Sequence, residues 1–262
     1  MTINQPFCTL TGVDTNTDIN KLWELSEKYP FVEFGVLLHC TNQGSDINRR
    51  YPTFEYIREL GSKIKSENDP NFALHICGPQ AIKDFMDINS EVYKLSIPFK
   101  RIQLNFISEK YDINEIRKLF ERESKKIIIT QYNNANMKLW RKLSDFNNHN
   151  VLFDSSGGRG TEIQNICSPL DIESEGLPFK AINPLCGYAG GISEDNVTEI
   201  LNKIMKVTNN NNFWIDMEQK LRDKKDNLDL LICEKVLEKV DFFMKNNFTK
   251  IVKNTSIPGK LK

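Results

Sequence analysis

Two glycine-bearing stretches hold the residue types best suited to chemistry. In Leu152-Phe153-Asp154-Ser155-Ser156-Gly157-Gly158-Arg159-Gly160 a carboxylate closes an apolar run, and a glycine loop with one guanidinium follows. Asp154 can act there as a general acid or base if burial raises its pKa. Its plainer use is to cap the loop by accepting hydrogen bonds from backbone N–H groups. In Gly187-Tyr188-Ala189-Gly190-Gly191-Ile192-Ser193-Glu194-Asp195-Asn196-Val197, paired glycines let backbone N–H groups approach an anion closely. A helix starting near Ser193 would add the positive end of its dipole. Gly190, Gly191 and Ser193, with Gly158 from the first loop, are therefore candidate phosphate ligands. A tight turn that needs positive φ is the other use of such glycines.

Both stretches need elements to position them. Short apolar runs occur at Phe7–Val13, Val32–His39, Phe72–Gly78, Arg101–Phe106, Lys126–Tyr132, Val151–Ser155, Phe179–Leu185 and Phe213–Met217. Most are continuous rather than alternating, as expected for strands covered on both faces of a parallel sheet. Helical patterns fall between them, at Asp18–Tyr29, Phe54–Ser66, Gln80–Asn89, Ile113–Glu123, Met137–Phe146, Glu194–Val207 and Leu228–Met244. After the sixth run, Thr161–Ile166 can start a helix, but Pro169, Gly176 and Pro178 make the remainder a loop. Eight strand signals alternating with helices over this length predict a (β/α)8 TIM barrel of eight parallel strands. It forms a single domain over 1–262, with a basic tail from about residue 245. An open doubly wound sheet fits the alternation as well, but no GxGxxG turn follows the first strand.

Chemistry in such a barrel sits where strands end and loops begin on the C-terminal face. Those positions hold Thr11 and Asp14, His39, His75 and Cys77, Asn105, Gln131, Asp154, Cys186, and Asp216 with Glu218. Acidic, amide, thiol and imidazole groups thus collect at one end, although any strand meeting solvent also ends in polar residues.

Composition narrows the partners. Hydrophobic residues make up 39% of the 262, and Lys+Arg and Asp+Glu number 35 each. A zero net charge argues against a nucleic-acid coat or an anionic-membrane binder, both of which need a basic surplus. No apolar run is long enough to span a bilayer, and the first residues carry no secretory pattern, so the expected location is cytoplasmic. The six cysteines show no CxxC spacing and the three histidines no HExxH, so free thiols are expected, with neither metal nor cofactor. The expected partner is a small phosphorylated molecule. The sequence does not give the oligomeric state.

Taken together these motifs resemble phosphoribosylanthranilate isomerase, a (β/α)8 enzyme. Leu10-Thr11-Gly12-Val13 with Asp18 looks like the family's first strand and loop, and Arg50-Tyr51 like the segment whose arginine meets the substrate's anthranilate carboxylate. Gln103-Leu104-Asn105 stands where the family reads Q-L-H. Asp154 with Gly157–Gly160 looks like the stretch carrying the general acid, and Ala189–Val197 is close to the family's phosphate loop. The resemblance implies Asp154 as acid and Arg50 at the substrate's carboxylate. Strand-end or loop position makes His39, His75, Asn105, Gln131 and Arg159 candidates for meeting the rest of the ligand, with a structural role the plainer use of each histidine. There are departures. The family's first-strand cysteine, its general base, falls on Thr11, a hydroxyl too weakly acidic to take its place unaided. Cys8 lies on the opposite strand face. The strand-8 phosphate segment is Asp216-Met217-Glu218-Gln219-Lys220-Leu221-Arg222, without its glycine and with an added carboxylate.

The expected activity is an isomerase-like acid/base reaction on a phosphorylated sugar derivative, with Asp154 as acid and Glu218, Asp14 or Cys186 as replacement base. A lyase on the same phosphate-binding barrel and a barrel that binds without turnover are the alternatives. No strand ends in lysine, which disfavours a Schiff-base aldolase.

Overall fold

The computed structural model describes residues 7–46, 48–66, 69–133, 136, 138–154, 166, 185–209 and 213–248. Eight strands form within these: β1 Cys8–Thr11, β2 Val32–Leu38, β3 Asn71–Cys77, β4 Arg101–Asn105, β5 Ile127–Tyr132, β6 His149–Asp154, β7 Cys186–Ala189 and β8 Phe213–Met217. Each pairs in parallel with the next, and β8 pairs with β1, so the sheet closes into a (β/α)8 barrel.

Period-2 alternation sorts every strand into two faces. Leu10, Phe34, Val36, Leu74, Ile76, Ile102 and Phe153 point outward and join the helices in one large core. Ile129, Leu152 and Trp214 form a smaller apolar cluster inside the barrel. Charge also fills the interior. Arg101 Nε lies 2.8 Å from Glu33 Oε2, and Thr9 Oγ1 donates to Glu33 Oε1 at 2.9 Å. The Arg101 guanidinium sits 4.9 Å from the Trp214 ring. Because β4 and β8 are opposite strands, that contact crosses the barrel axis. Burial pushes the Glu33 carboxyl upward, while Arg101 and Thr9 pull it down.

The covering helices are α1 Ile19–Lys28, α2 Phe54–Lys63, α3 Pro79–Met86, α4 Glu91–Ser96, α5 Ile113–Arg122, α6 Leu139–Leu143, α7 Val197–Val207 and α8 Leu230–Asn247. Asp18, Thr53, Ser90, Asp112 and Asp229 cap their helices by accepting backbone N–H bonds. None of the helices among the described residues is long and apolar enough to cross a membrane.

Three expectations need correction. The helix expected over Gln80–Asn89 ends at Met86, and a second short helix, α4, starts after the Ser90 cap. The helix expected from Glu194 begins only at Val197, because the Asn196 side chain takes the Ser193 N–H at 2.8 Å and donates to the Gly191 carbonyl at 3.0 Å. The seventh strand is Cys186–Ala189 rather than Phe179–Leu185, of which 179–184 lie outside the described residues. Its small residues read as loop, yet each has a place. Tyr188 turns outward and stacks on Phe153 at 5.1 Å. Gly187 turns inward, where a Cβ would come within 2.2 Å of the Trp214 ring, so the indole occupies the space a side chain would need.

Candidate functional site

A small cleft opens at the C-terminal end of the barrel. Its wall is built from inward positions of β1, β4, β5, β6 and β8, with the loop after β7. Thr11, Asn105, Gln131, Asp154, Gly190, Gly191 and Glu218 all line it, as do Gln103, Asp216 and Lys220. Seven of the residues singled out from the sequence therefore meet in one place.

The floor holds a hydroxyl–carboxylate pair. Thr11 Oγ1 donates to Asp216 Oδ1 at 2.6 Å, joining β1 to β8. Burial holds the Asp216 carboxyl well above the usual carboxylate range. The Thr11 hydrogen bond opposes this, and the charges of Glu218, Glu33 and Asp154 add to it. Asp154, 4% exposed, accepts from Gln131 Nε2 at 3.2 Å. On the neighbouring wall Gln103 Nε2 donates to Asn105 Oδ1 at 3.0 Å, and Asn105 Nδ2 lies 3.3 Å from Cys77 Sγ. Burial pushes the Cys77 thiol up to about 12, so it stays protonated at neutral pH. Cys8 faces the outer core, away from Thr11.

Beside the cleft runs an ion-pair network. Arg50 Nη1 donates to Glu218 Oε1 at 2.6 Å and Nη2 to Asp226 Oδ1 at 3.1 Å. Arg222 Nε donates to the same Asp226 oxygen at 2.7 Å, Nη1 to the Gly12 carbonyl at 2.7 Å, and Nη2 to Asp14 Oδ2 at 3.3 Å. Burial raises the Glu218 carboxyl, while the Arg50 and Arg222 charges lower it. Asp14 also accepts the Leu228 N–H at 2.6 Å and the Asn16 N–H at 2.9 Å. Fully buried, it fastens the loop after β1 to the segment after β8 and does not line the cleft.

The two histidines lie apart from the cleft wall. His39 accepts from the Thr41 N–H at 3.2 Å through Nδ1, and its ring meets Tyr51 edge-on at 5.5 Å. His75 sits lower inside the barrel, at the register of Gln103. The loop after β7 has Gly190 at φ 114° and Gly191 at φ 60°, both in the region that favours glycine. Ser193 is not in the cleft wall, and its N–H is already taken by Asn196. Arg159 and Gly158 lie outside the described residues. Sequence reasoning passed over Gln103 and Lys220 as site residues and left Asp216 as one strand-end carboxylate among several. The alternation Trp214, Asp216, Glu218 could have marked Asp216 as inward-facing.

Burial drops the His75 pKa to about 3, with the Arg101 charge adding to the effect, and burial does the same to His149. Both rings are neutral at pH 7, so His75 offers no positive charge to a ligand. In the unfolded chain both titrate near the ordinary 6.5. Their contribution to stability is therefore complete above that value. It is lost as pH falls toward 3, at up to about 1.4 kcal/mol per pH unit for each ring. Asp216 and Glu218, raised by burial, work in the opposite sense. The histidine share is therefore read by difference: between pH 7 and about pH 4.5 the urea midpoint of the wild type should fall relative to that of His149→Gln. Parallel midpoints for the two proteins over this window would contradict the assignment.

No family model matches the chain, and no curated protein matches its sequence. Solved structures do match. A phosphoribosylanthranilate isomerase from Thermotoga maritima, a structure of mutually generated monomers of a dimeric protein, superposes with a TM-score of 0.57. It shares 12% identity over 91% of this chain and 100% of its own. TrpF from Jonesia denitrificans gives a TM-score of 0.56 at 11% identity, covering 91% and 98%. A Rubisco-like protein from Rhodopseudomonas palustris gives 0.54 at 10% identity, covering 93% of this chain and 64% of its own. The resemblance first seen in the motifs thus holds for the fold: this chain is a (β/α)8 barrel similar in structure to phosphoribosylanthranilate isomerases, with 11–12% sequence identity to them.

Proposed function

We propose that this barrel is an isomerase-like enzyme that acts by acid/base chemistry on a phosphorylated sugar derivative. One observation carries the reading: Asp154, the Thr11–Asp216 pair and the Gly190–Gly191 turn all face the same cleft. The glycine turn is the candidate phosphate cradle, its N–H groups approachable because no Cβ intervenes. Lys220, on the rim, adds a positive charge to that neighbourhood. Asp154 serves as the acid that protonates the sugar ring oxygen so that the ring opens. The base then removes the proton next to the resulting imine carbon, giving the enol.

Asp216 suits the role of base better than the three groups named from the sequence. Glu218 is held by Arg50, Asp14 is committed to Arg222 and the backbone, and Cys186 lies in the outer core. Thr11 occupies one Asp216 oxygen and orients the carboxylate from the adjacent strand. A carboxyl whose pKa burial raises is also a stronger proton acceptor once ionised.

The anthranilate adduct of ribose phosphate should be a poor substrate. Thr11 is no base, and Arg50, the arginine that would meet the anthranilate carboxylate, is already paired with Glu218. Mispositioning the base costs roughly 10²–10⁴ in rate. Loss of adduct fluorescence should accordingly be slow with the unmodified protein and faster with Thr11→Cys. Robust turnover by the unmodified protein would contradict this expectation.

A further inference from the structure

Three donors stand open in the turn after β7. Gly190, Gly191 and Ile192 line the cleft, and among the described residues no acceptor takes any of their N–H groups. The turn is braced from behind: Asn196, which is not in the cleft wall, donates to the Gly191 carbonyl at 3.0 Å. The peptide is planar and trans, so holding that carbonyl directs the Ile192 N–H the other way, away from Asn196. Successive open N–H groups in such a turn form a concavity suited to an anion. They carry only partial charge, however, and α7 begins no earlier than Val197.

A full charge comes from the next strand. β8 pairs with β7, and a 3-10 turn, Gln219–Leu221, follows it. Leu221 is buried in the core and its N–H binds the Glu218 carbonyl at 3.0 Å, which anchors the turn. Lys220, one residue earlier, is thereby left exposed on the rim of the cleft. It makes no ion pair among the described residues, whereas Arg50 and Arg222 both hold carboxylates. Glu194, an acid in the glycine loop, is paired with Lys239 at 3.3 Å.

We propose that Lys220 reads the charge of the ligand's phosphate: together with the Gly190, Gly191 and Ile192 N–H groups it receives a phosphate monoester carrying two charges. The proposal rests on the phosphate reading of the glycine turn and deepens it by naming the side chain that sets specificity there. A diester has one charge and one free oxygen fewer, so it forfeits the charge-assisted hydrogen bond from the ammonium.

The test is calorimetric titration with ribose 5-phosphate, its methyl diester and ribose. It is run at about pH 7.5, above the second phosphate pKa of about 6. The wild-type protein should bind the monoester at least about tenfold more tightly than the diester, and ribose most weakly. Lys220→Gln should weaken the monoester about tenfold and narrow the gap to the diester, while Lys220→Arg keeps most of the affinity. Equal binding of monoester and diester by the wild type would overturn the proposal. So would a loss in Arg159→Gln with none in Lys220→Gln, which would give the charge to that arginine. Amide chemical shifts of Gly190, Gly191 and Ile192 during the ribose 5-phosphate titration separate the two readings. If they move while Lys220→Gln keeps wild-type affinity, the phosphate reading stands and the role of Lys220 falls. If they stay fixed, both fall.

Discussion

Replacing Asp154 by asparagine should lower the rate of isomerisation about 10²–10⁴-fold while leaving ligand binding nearly intact. The carboxamide keeps the size of the side chain and can still meet Gln131, whose Nε2 lies 3.2 Å from Asp154 Oδ2. It lacks a proton acidic enough to pass to the ring oxygen. With enzyme in excess over the anthranilate adduct, the first-order loss of fluorescence reports this step directly. A variant that loses binding and stability in parallel with rate would make Asp154 a loop cap. A variant of unchanged rate would remove it from the chemistry.

The second large effect concerns folding. Arg222→Met should cost about 3–5 kcal/mol, because it leaves Asp14 buried without its counterion. Asp14 is 1% exposed, and Arg222 reaches both the loop after β1 and the Asp226 turn. That loss is a large share of a typical stability of about 5–15 kcal/mol. Urea unfolding of Arg222→Met, Asp14→Asn and the double variant forms a cycle in which the double variant recovers part of the loss. A single-variant loss below about 1 kcal/mol would show that the network is ornamental.

Much of the barrel was legible because continuous apolar runs such as Val36-Leu37-Leu38 and Ile127-Ile128-Ile129 serve both faces of a parallel strand. The seventh strand escaped for a physical reason. Its inward position is Gly187, and the volume there is supplied by Trp214 from β8, a compensation that no local pattern displays. Strand-end position placed Thr11, Asn105, Gln131, Asp154 and Glu218 at the right height. It did not reveal which way the neighbouring groups turn or what already holds them. Asp14 is claimed by Arg222 and Leu228, more than two hundred residues further along the chain. Glu218, read as a carboxylate standing open in the site, is paired with Arg50 across 168 residues. His75 sits inside the barrel, where burial keeps it neutral, rather than at the mouth.

The central claim is that a phosphorylated sugar derivative lies in this cleft with its phosphate on the Gly190–Gly191 turn and its reacting end between Asp154 and Asp216. A crystal structure of the protein with ribose 5-phosphate tests it most directly. Phosphate density within hydrogen-bond distance of the Gly190 and Gly191 N–H groups, with the sugar carbons directed toward Asp154, is the predicted result. Phosphate bound elsewhere on the barrel, or an empty cleft at saturating ligand, would contradict it.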